Sequence, residues 1–147
     1  MSDKVVDCIQ AKSQVRGNPS FVWRAGQERR LGLVQQFVTL KGIRVLDAGC
    51  GMGMYVAAFQ REGSISYGVE IEPDRAREAL KVSGGITVRS GDKLPLKDEC
   101  LDLVFSHEVI EHVEDDRQAI REAARVLQPG GHLVVFADAE IDQRPFG

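Results

Sequence analysis

The segment Asp47-Ala48-Gly49-Cys50-Gly51-Met52-Gly53 places glycine at every second position, directly after the apolar, β-branched run Ile43-Arg44-Val45-Leu46. Glycines there let a loop take dihedrals closed to other residues and let a ligand approach the backbone. A helix beginning beside the loop, near Met54, offers free N–H groups that favour a carboxylate or phosphate. Glu70 follows 21 residues after Gly49, a distance at which an acid closing a second strand accepts hydrogen bonds from ribose hydroxyls. Loop and acid together imply an adenosine-containing ligand.

The spacing argues against a dinucleotide. That fingerprint reads G-x-G-x-x-G/A, whereas its last position here is Met54 and the glycines alternate. A pyrophosphate needs close approach to the helix. S-adenosylmethionine has none and asks only that its amino-acid end fit the loop. A second cluster, His107-Glu108-Val109-Ile110-Glu111-His112, invites a metal reading. Zinc on one helical face needs histidines four apart; here they are five apart, so no metal is expected. Cys8, Cys50 and Cys100 are scattered and form no CxxC pair, which favours a reducing, cytoplasmic setting over a disulfide scaffold.

These residues need elements to hold them. The chain has 147 residues, 43% hydrophobic and 28% charged, with a net charge of −3. That is enough for one globular domain, and it gives no global pull toward nucleic acid or anionic membrane. No apolar run reaches the ~18 residues of a membrane span, and the start Met1-Ser2-Asp3-Lys4 has no signal-peptide core. Residues 1–18 read as a polar lead-in ending at Gly17-Asn18-Pro19, with the ligand-binding domain over 19–147. Ser20 is placed to cap a helix reaching Leu40, with Arg24 to Arg30 as its solvated face or, alternatively, as a border of the site. Strands are expected at 43–47, 65–70, 86–89, 100–105 and 132–137. Helices are expected at 54–61, from Pro73 to Lys81, and from Asp115 to Leu127, the last stopping at Gln128-Pro129-Gly130-Gly131. Alternating strands and helices predict an α/β, Rossmann-like doubly wound sheet, mainly parallel, with helices on both faces and about five strands.

Val45 to Gly53 resembles the first motif of class I S-adenosylmethionine-dependent methyltransferases. Three further segments resemble that family in the same order: Leu94-Pro95-Leu96-Lys97-Asp98-Glu99-Cys100-Leu101-Asp102-Leu103-Val104, then Ser106 to Val113, then Arg121-Glu122-Ala123-Ala124-Arg125-Val126-Leu127-Gln128-Pro129-Gly130-Gly131. The nearest group is the type 11 methyltransferases related to ubiquinone and menaquinone biosynthesis, and the resemblance spans about residues 43–137. It implies that Asp47 steers the loop and the cofactor's ammonium group; the bland alternative is a turn-stabilising Asp. It implies that Gly49, Cys50, Gly51 and Gly53 contact the cofactor, that Glu70 holds the ribose, and that Ile71, Gly91, Asp92, Lys93 and Leu94 border adenine. Ser90 stands where many relatives carry Asp, which alters the expected contact to the adenine amino group. Ser106 and His107 are expected beside the methyl-bearing sulfur, with His107 as a candidate general base or substrate-orienting group and a cofactor-lining side chain without a chemical role as the alternative. Glu108 and Glu111 either lend negative charge there or solvate a helix start. Trp23 and Phe21 are assigned to the core, with a lid over the site as the alternative.

The resulting expectation is S-adenosylmethionine-dependent methyl transfer to a small-molecule acceptor, leaving S-adenosylhomocysteine. The alternatives are a non-catalytic or partner-dependent binding module and a nicotinamide-dependent oxidoreductase. The family's sheet has seven strands; with room for five, strands six and seven are expected to be missing, leaving a C-terminal sheet edge open to a second copy.

Overall fold

The computed structural model describes residues 5–7 and 23–137. In chain order the elements are β1 Val5–Asp7, α1 Ala25–Phe37, β2 Arg44–Ala48, α2 Met54–Arg61, β3 Ile65–Glu70, α3 Pro73–Val82, β4 Ile86–Val88, β5 Leu101–His107, a 3₁₀ turn Ile110–His112, α4 Asp116–Val126 and β6 Leu127–Phe136. The strands form one sheet in the order β1-β6-β5-β2-β3-β4, and every neighbouring pair is parallel. From β2 the chain winds outward through β3 to β4, then crosses back to lay β5 and β6 on the other side of β2. The reversal leaves a crevice at the carboxyl ends of β2 and β5, where doubly wound sheets bind ligands.

Both faces are covered, which is why β2 and β5 read as nearly unbroken apolar runs. On one face Leu31 and Val34 of α1 and Tyr55, Ala58 and Phe59 of α2 pack on Val45, Leu103, Phe105 and Val134. On the other, Ala123 and Val126 of α4 pack on Leu46, Val69, Val104 and Leu133. α3 joins α2 through Ala79 and Val56, with Cys50 between them. At the starts of the strands the Asp102 carboxylate accepts from the Arg44 backbone N–H at 2.7 Å and from the Gln128 side chain, tying β2, β5 and β6 in register.

The five predicted strands are present, and the structure adds a sixth. Val5–Asp7, inside the segment expected to be a polar lead-in, pairs with Leu133–Val135. Three residues are too few to show a period in the sequence. Their ladder occupies the outer side of β6, the edge expected to be open to a second copy. α1 is shorter than expected: it begins after Arg24, whose backbone N–H donates to the Gln27 side chain at 2.7 Å, and it ends at Phe37, where Val38 turns extended. Ser20 and Phe21 lie outside the described residues. β6 starts at Leu127 because the Gln128–Gly131 turn is an irregularity within the β5–β6 ladder rather than a break before it. Among the described residues no helix is long and apolar enough to cross a membrane.

Candidate functional site

The glycine loop sits on the crevice. Gly49, Gly51 and Gly53 all have positive φ, at 89°, 54° and 80°, which accounts for the alternation in physical terms: every second residue is left-handed. Two of the three are also crowded. A β-carbon on Gly49 would meet the Val109 side chain, and one on Gly53 would meet Ala79 and Ser83 at 3.0 Å. Gly51 faces open space, with nothing within 4 Å. The loop is hung from β3, since the Gly49 and Cys50 N–H groups both donate to the Val69 carbonyl at 2.8 Å. The Cys50 side chain points into the core against Gly68, so only its backbone can meet a ligand. Burial pushes the Cys50 thiol above its ordinary range, and the Asp47 and Glu70 charges push the same way.

Two buried carboxylates face this loop. Asp47 is 2% exposed, and its Oδ1 has no hydrogen-bond partner among the described residues. Burial, aided by the Glu70 charge, pushes its pKa up to about 8, so the protein on its own holds Asp47 largely protonated at neutral pH. Glu70 is 5% exposed. Burial raises its pKa as well, while the Arg75 charge and the Gly51 and Glu72 backbone N–H groups favour its charged form. A buried acid lacking a partner, next to a second acid, is an arrangement that a cationic or hydrogen-bond-donating ligand relieves.

Along the strands side chains alternate between faces, and this divides the site. Asp47, Glu70 and His107 lie on the α1–α2 face. His107 closes β5 within an aromatic cluster, its ring 5.4 Å from Tyr55 and 6.2 Å from Phe136, with Nε2 3.6 Å from a Glu108 carboxylate oxygen. Burial pushes the Tyr55 phenol up to about 12, against the pull of the Arg30 charge on α1. Trp23 packs edge-on against Tyr55 at 5.3 Å under the Arg61 guanidinium, in keeping with its assignment to the core. Ser106 lies on the opposite face from His107, among the residues lining the α4 side of the crevice.

On the α4 face a solvent-open apolar cleft runs between Ala48, Ser106, Val109, Ile120, Gly91 and Leu94. Leu94 is buried at 7% exposure, whereas Ile71, at the rim of the crevice, is 63% exposed. Asp92 is half-buried and Lys93 exposed. The Lys93 backbone N–H closes a turn on the Ser90 carbonyl at 3.2 Å, so Lys93 serves the turn through its main chain. Glu111 pairs with His112 at 4.0 Å, and His112 is exposed, away from His107. Among the described residues no group of three or more His, Cys, Asp or Glu comes together as a metal site.

Three residues, Tyr55, Glu122 and Arg125, carry no site signal in the sequence, and Arg30 carries only the alternative that its stretch borders the site. Tyr55, two positions into the helix after the loop, reads as core. Arg30 sits in a stretch that reads as a solvated face. Glu122 and Arg125 bind the segment carrying Leu94 to α4; their spacing of three marks a helical pair, but not what it grips.

A family model described as a methyltransferase domain matches residues 46–135, and the chain belongs to that family. An uncharacterized methyltransferase of Mycobacterium sp. (strain KMS) is 37% identical over 116 residues, covering 78% of this chain and 42% of the relative. A ubiquinone biosynthesis O-methyltransferase of Coxiella burnetii (strain RSA 493 / Nine Mile phase I) is 32% identical over 110 residues, covering 71% of this chain and 47% of the relative. The crystal structure of an S-adenosylmethionine-dependent methyltransferase from Mesorhizobium loti matches with a TM-score of 0.66 at 25% identity, covering 71% of this chain and 51% of that one. The chain spans less than half the length of these curated relatives.

Proposed function

We propose that this chain binds S-adenosylmethionine across the tips of β2, β3 and β5 and serves methyl transfer to a small-molecule acceptor. One observation carries the reading: a left-handed glycine loop, open at Gly51, faces a buried Asp47 whose Oδ1 has no partner among the described residues, with Glu70 beside it. The ligand that suits this geometry is polar and cationic on one side and flat and apolar on the other. Asp47 accepts from the ammonium group, and the ionised form is favoured once that cation is present. Glu70 accepts from the ribose hydroxyls, Arg30 is the charge available to the carboxylate, and the cleft at Gly91 and Leu94 takes the base, with Ile71 as its outer wall.

When bound, the cofactor supplies a methyl group on a positively charged sulfur, an activated leaving group whose in-line displacement depends mainly on alignment and desolvation. His107, next to Tyr55, is the residue placed to take a proton from an acceptor that must lose one. The name of the Coxiella burnetii relative supports an acceptor hydroxyl on a small molecule. Calorimetric titration with S-adenosylmethionine and S-adenosylhomocysteine tests the binding step, and saturable binding of both is expected. Absence of binding to either overturns the reading.

A second reading is a cofactor-binding module that turns over only with a partner chain; on the roles proposed above, His107 alone is assigned to an acceptor and the other residues to the cofactor. Saturable cofactor binding without turnover across a panel of hydroxyl, amine and ring-carbon acceptors would select it.

A further inference from the structure

The connection between β4 and β5 contains no helix or strand, so the backbone groups of residues 89–100 need partners from elsewhere. α4 supplies them. The Leu94 N–H donates to Glu122 Oε2 at 3.0 Å. Arg125 donates through Nη2 to the Leu94 carbonyl at 3.1 Å and through Nη1 to the Leu96 carbonyl at 2.7 Å and to Asp98 Oδ1 at 2.8 Å. Arg125 also forks onto Glu122, with Nε and Nη2 each 2.9 Å from a carboxylate oxygen, so the two side chains hold each other in the geometry that grips the main chain. At the other end, the Arg89 N–H donates to the carbonyl of Glu70 at 3.1 Å. The turn Ser90–Lys93 is therefore pinned at one end to the strand carrying Glu70 and at the other to α4, and it forms one wall of the apolar cleft.

We propose that Glu122 and Arg125 are positioning residues for the cofactor's base, fixing Leu94 and Leu96 so that the Ser90–Lys93 turn presents its backbone to the edge of the adenine ring. The inference rests on the cofactor reading above and adds two residues that touch no ligand. It explains why the grip is ionic and bidentate: Leu94 already anchors its side chain in the core, and what the fork adds is orientation of the main chain on either side of it. Lysine at 125 keeps the charge but loses the planar fork.

The test uses the full chain with Arg125→Lys and Glu122→Gln, the second keeping an acceptor for the Leu94 N–H. Each is titrated with S-adenosylhomocysteine and with S-inosylhomocysteine, in which hypoxanthine replaces adenine, and melting is followed by circular dichroism. Arg125→Lys is expected to lower S-adenosylhomocysteine affinity about tenfold and S-inosylhomocysteine affinity less, shrinking the preference for adenine. Glu122→Gln should act in the same direction by about threefold, and it carries the test if Arg125→Lys does not fold. A lower melting temperature with base preference unchanged, or equal loss for both ligands, overturns the positioning role. Failure of the unsubstituted chain to bind S-adenosylhomocysteine overturns the cofactor reading, and this inference with it.

Discussion

The methyl groups of Val109 stand 2.4 and 2.8 Å from the point where a β-carbon on Gly49 would lie. The segment after β5 is thus seated directly on the glycine loop, and the bare face of Gly49 is its seat. Close packing leaves no slack for an added methyl, and the φ of 89° at Gly49 adds backbone strain. Gly49→Ala is expected to destabilise the protein by about 2–4 kcal/mol and to weaken cofactor binding by displacing both loops. Gly51→Ala meets nothing within 4 Å and should cost only about 1 kcal/mol of stability, from its left-handed φ. Its loss of S-adenosylhomocysteine affinity should nevertheless be the larger effect, since the methyl projects where the ligand approaches. Urea unfolding and calorimetry on both variants check this; equal stability losses would remove the distinction between the two glycines.

Asp47 makes the protein on its own sensitive to pH. Folding raises its pKa from 3.8 to about 8, so the folded state holds the proton more tightly than the unfolded chain does. That contribution to stability is full below about pH 4 and is lost as pH rises toward 8. Asp47→Asn should flatten the dependence in this window and leave the ligand-free protein more stable than the parent at pH 8 by about 1–3 kcal/mol. Cofactor binding should behave oppositely. If the ammonium group drives Asp47 to ionise, binding at pH 7 releases a proton, read as a difference in calorimetric heat between phosphate and Tris buffers. Asp47→Asn would abolish that difference. A buffer-independent heat in the parent protein would argue against the ammonium contact.

Glu70 accepts from the Gly51 backbone N–H of the loop and, on the proposed reading, from the ribose hydroxyls as well. Glu70→Gln keeps an acceptor and its volume but removes the charge, so S-adenosylhomocysteine affinity should fall about tenfold. The loss should be much smaller for an analogue whose ribose lacks both hydroxyls. Equal losses for the two ligands would mean that Glu70 acts only on the Gly51 N–H.

How much of this was legible in the sequence follows from which signals are local. The loop glycines and Glu70 announce themselves because a turn after a strand and an acid at the next strand end are short-range patterns. β1 does not, because Val5–Asp7 becomes a strand only through its pairing with Leu133–Val135. Ser106 and His107 are neighbours in sequence and look like one functional pair, yet strand alternation sends them to opposite faces. Glu122 and Arg125 were visible as a motif, but their targets are main-chain atoms 28 to 31 residues away, a relationship that residue types do not encode. The Arg30 charge comes near Tyr55 only because α1 and α2 pack on the same face of the sheet.

Glu108, directly after His107, holds a left-handed backbone with φ of 54°, although it is not glycine. Its N–H donates to the Phe136 carbonyl at 2.7 Å, so the β5–β6 ladder keeps the residue in this conformation at a cost of about 1 kcal/mol. Glycine adopts the same φ without that penalty but loses entropy on folding, so Glu108→Gly should stabilise the protein by a net of about 0.5 kcal/mol. It also removes the carboxylate 3.6 Å from His107 Nε2. If His107 takes the acceptor's proton as proposed, methyl transfer to a hydroxyl acceptor should slow in the variant while S-adenosylhomocysteine affinity stays the same. A higher melting temperature together with slower turnover is the expected pair. Unchanged turnover would show that Glu108 only bends the chain after β5.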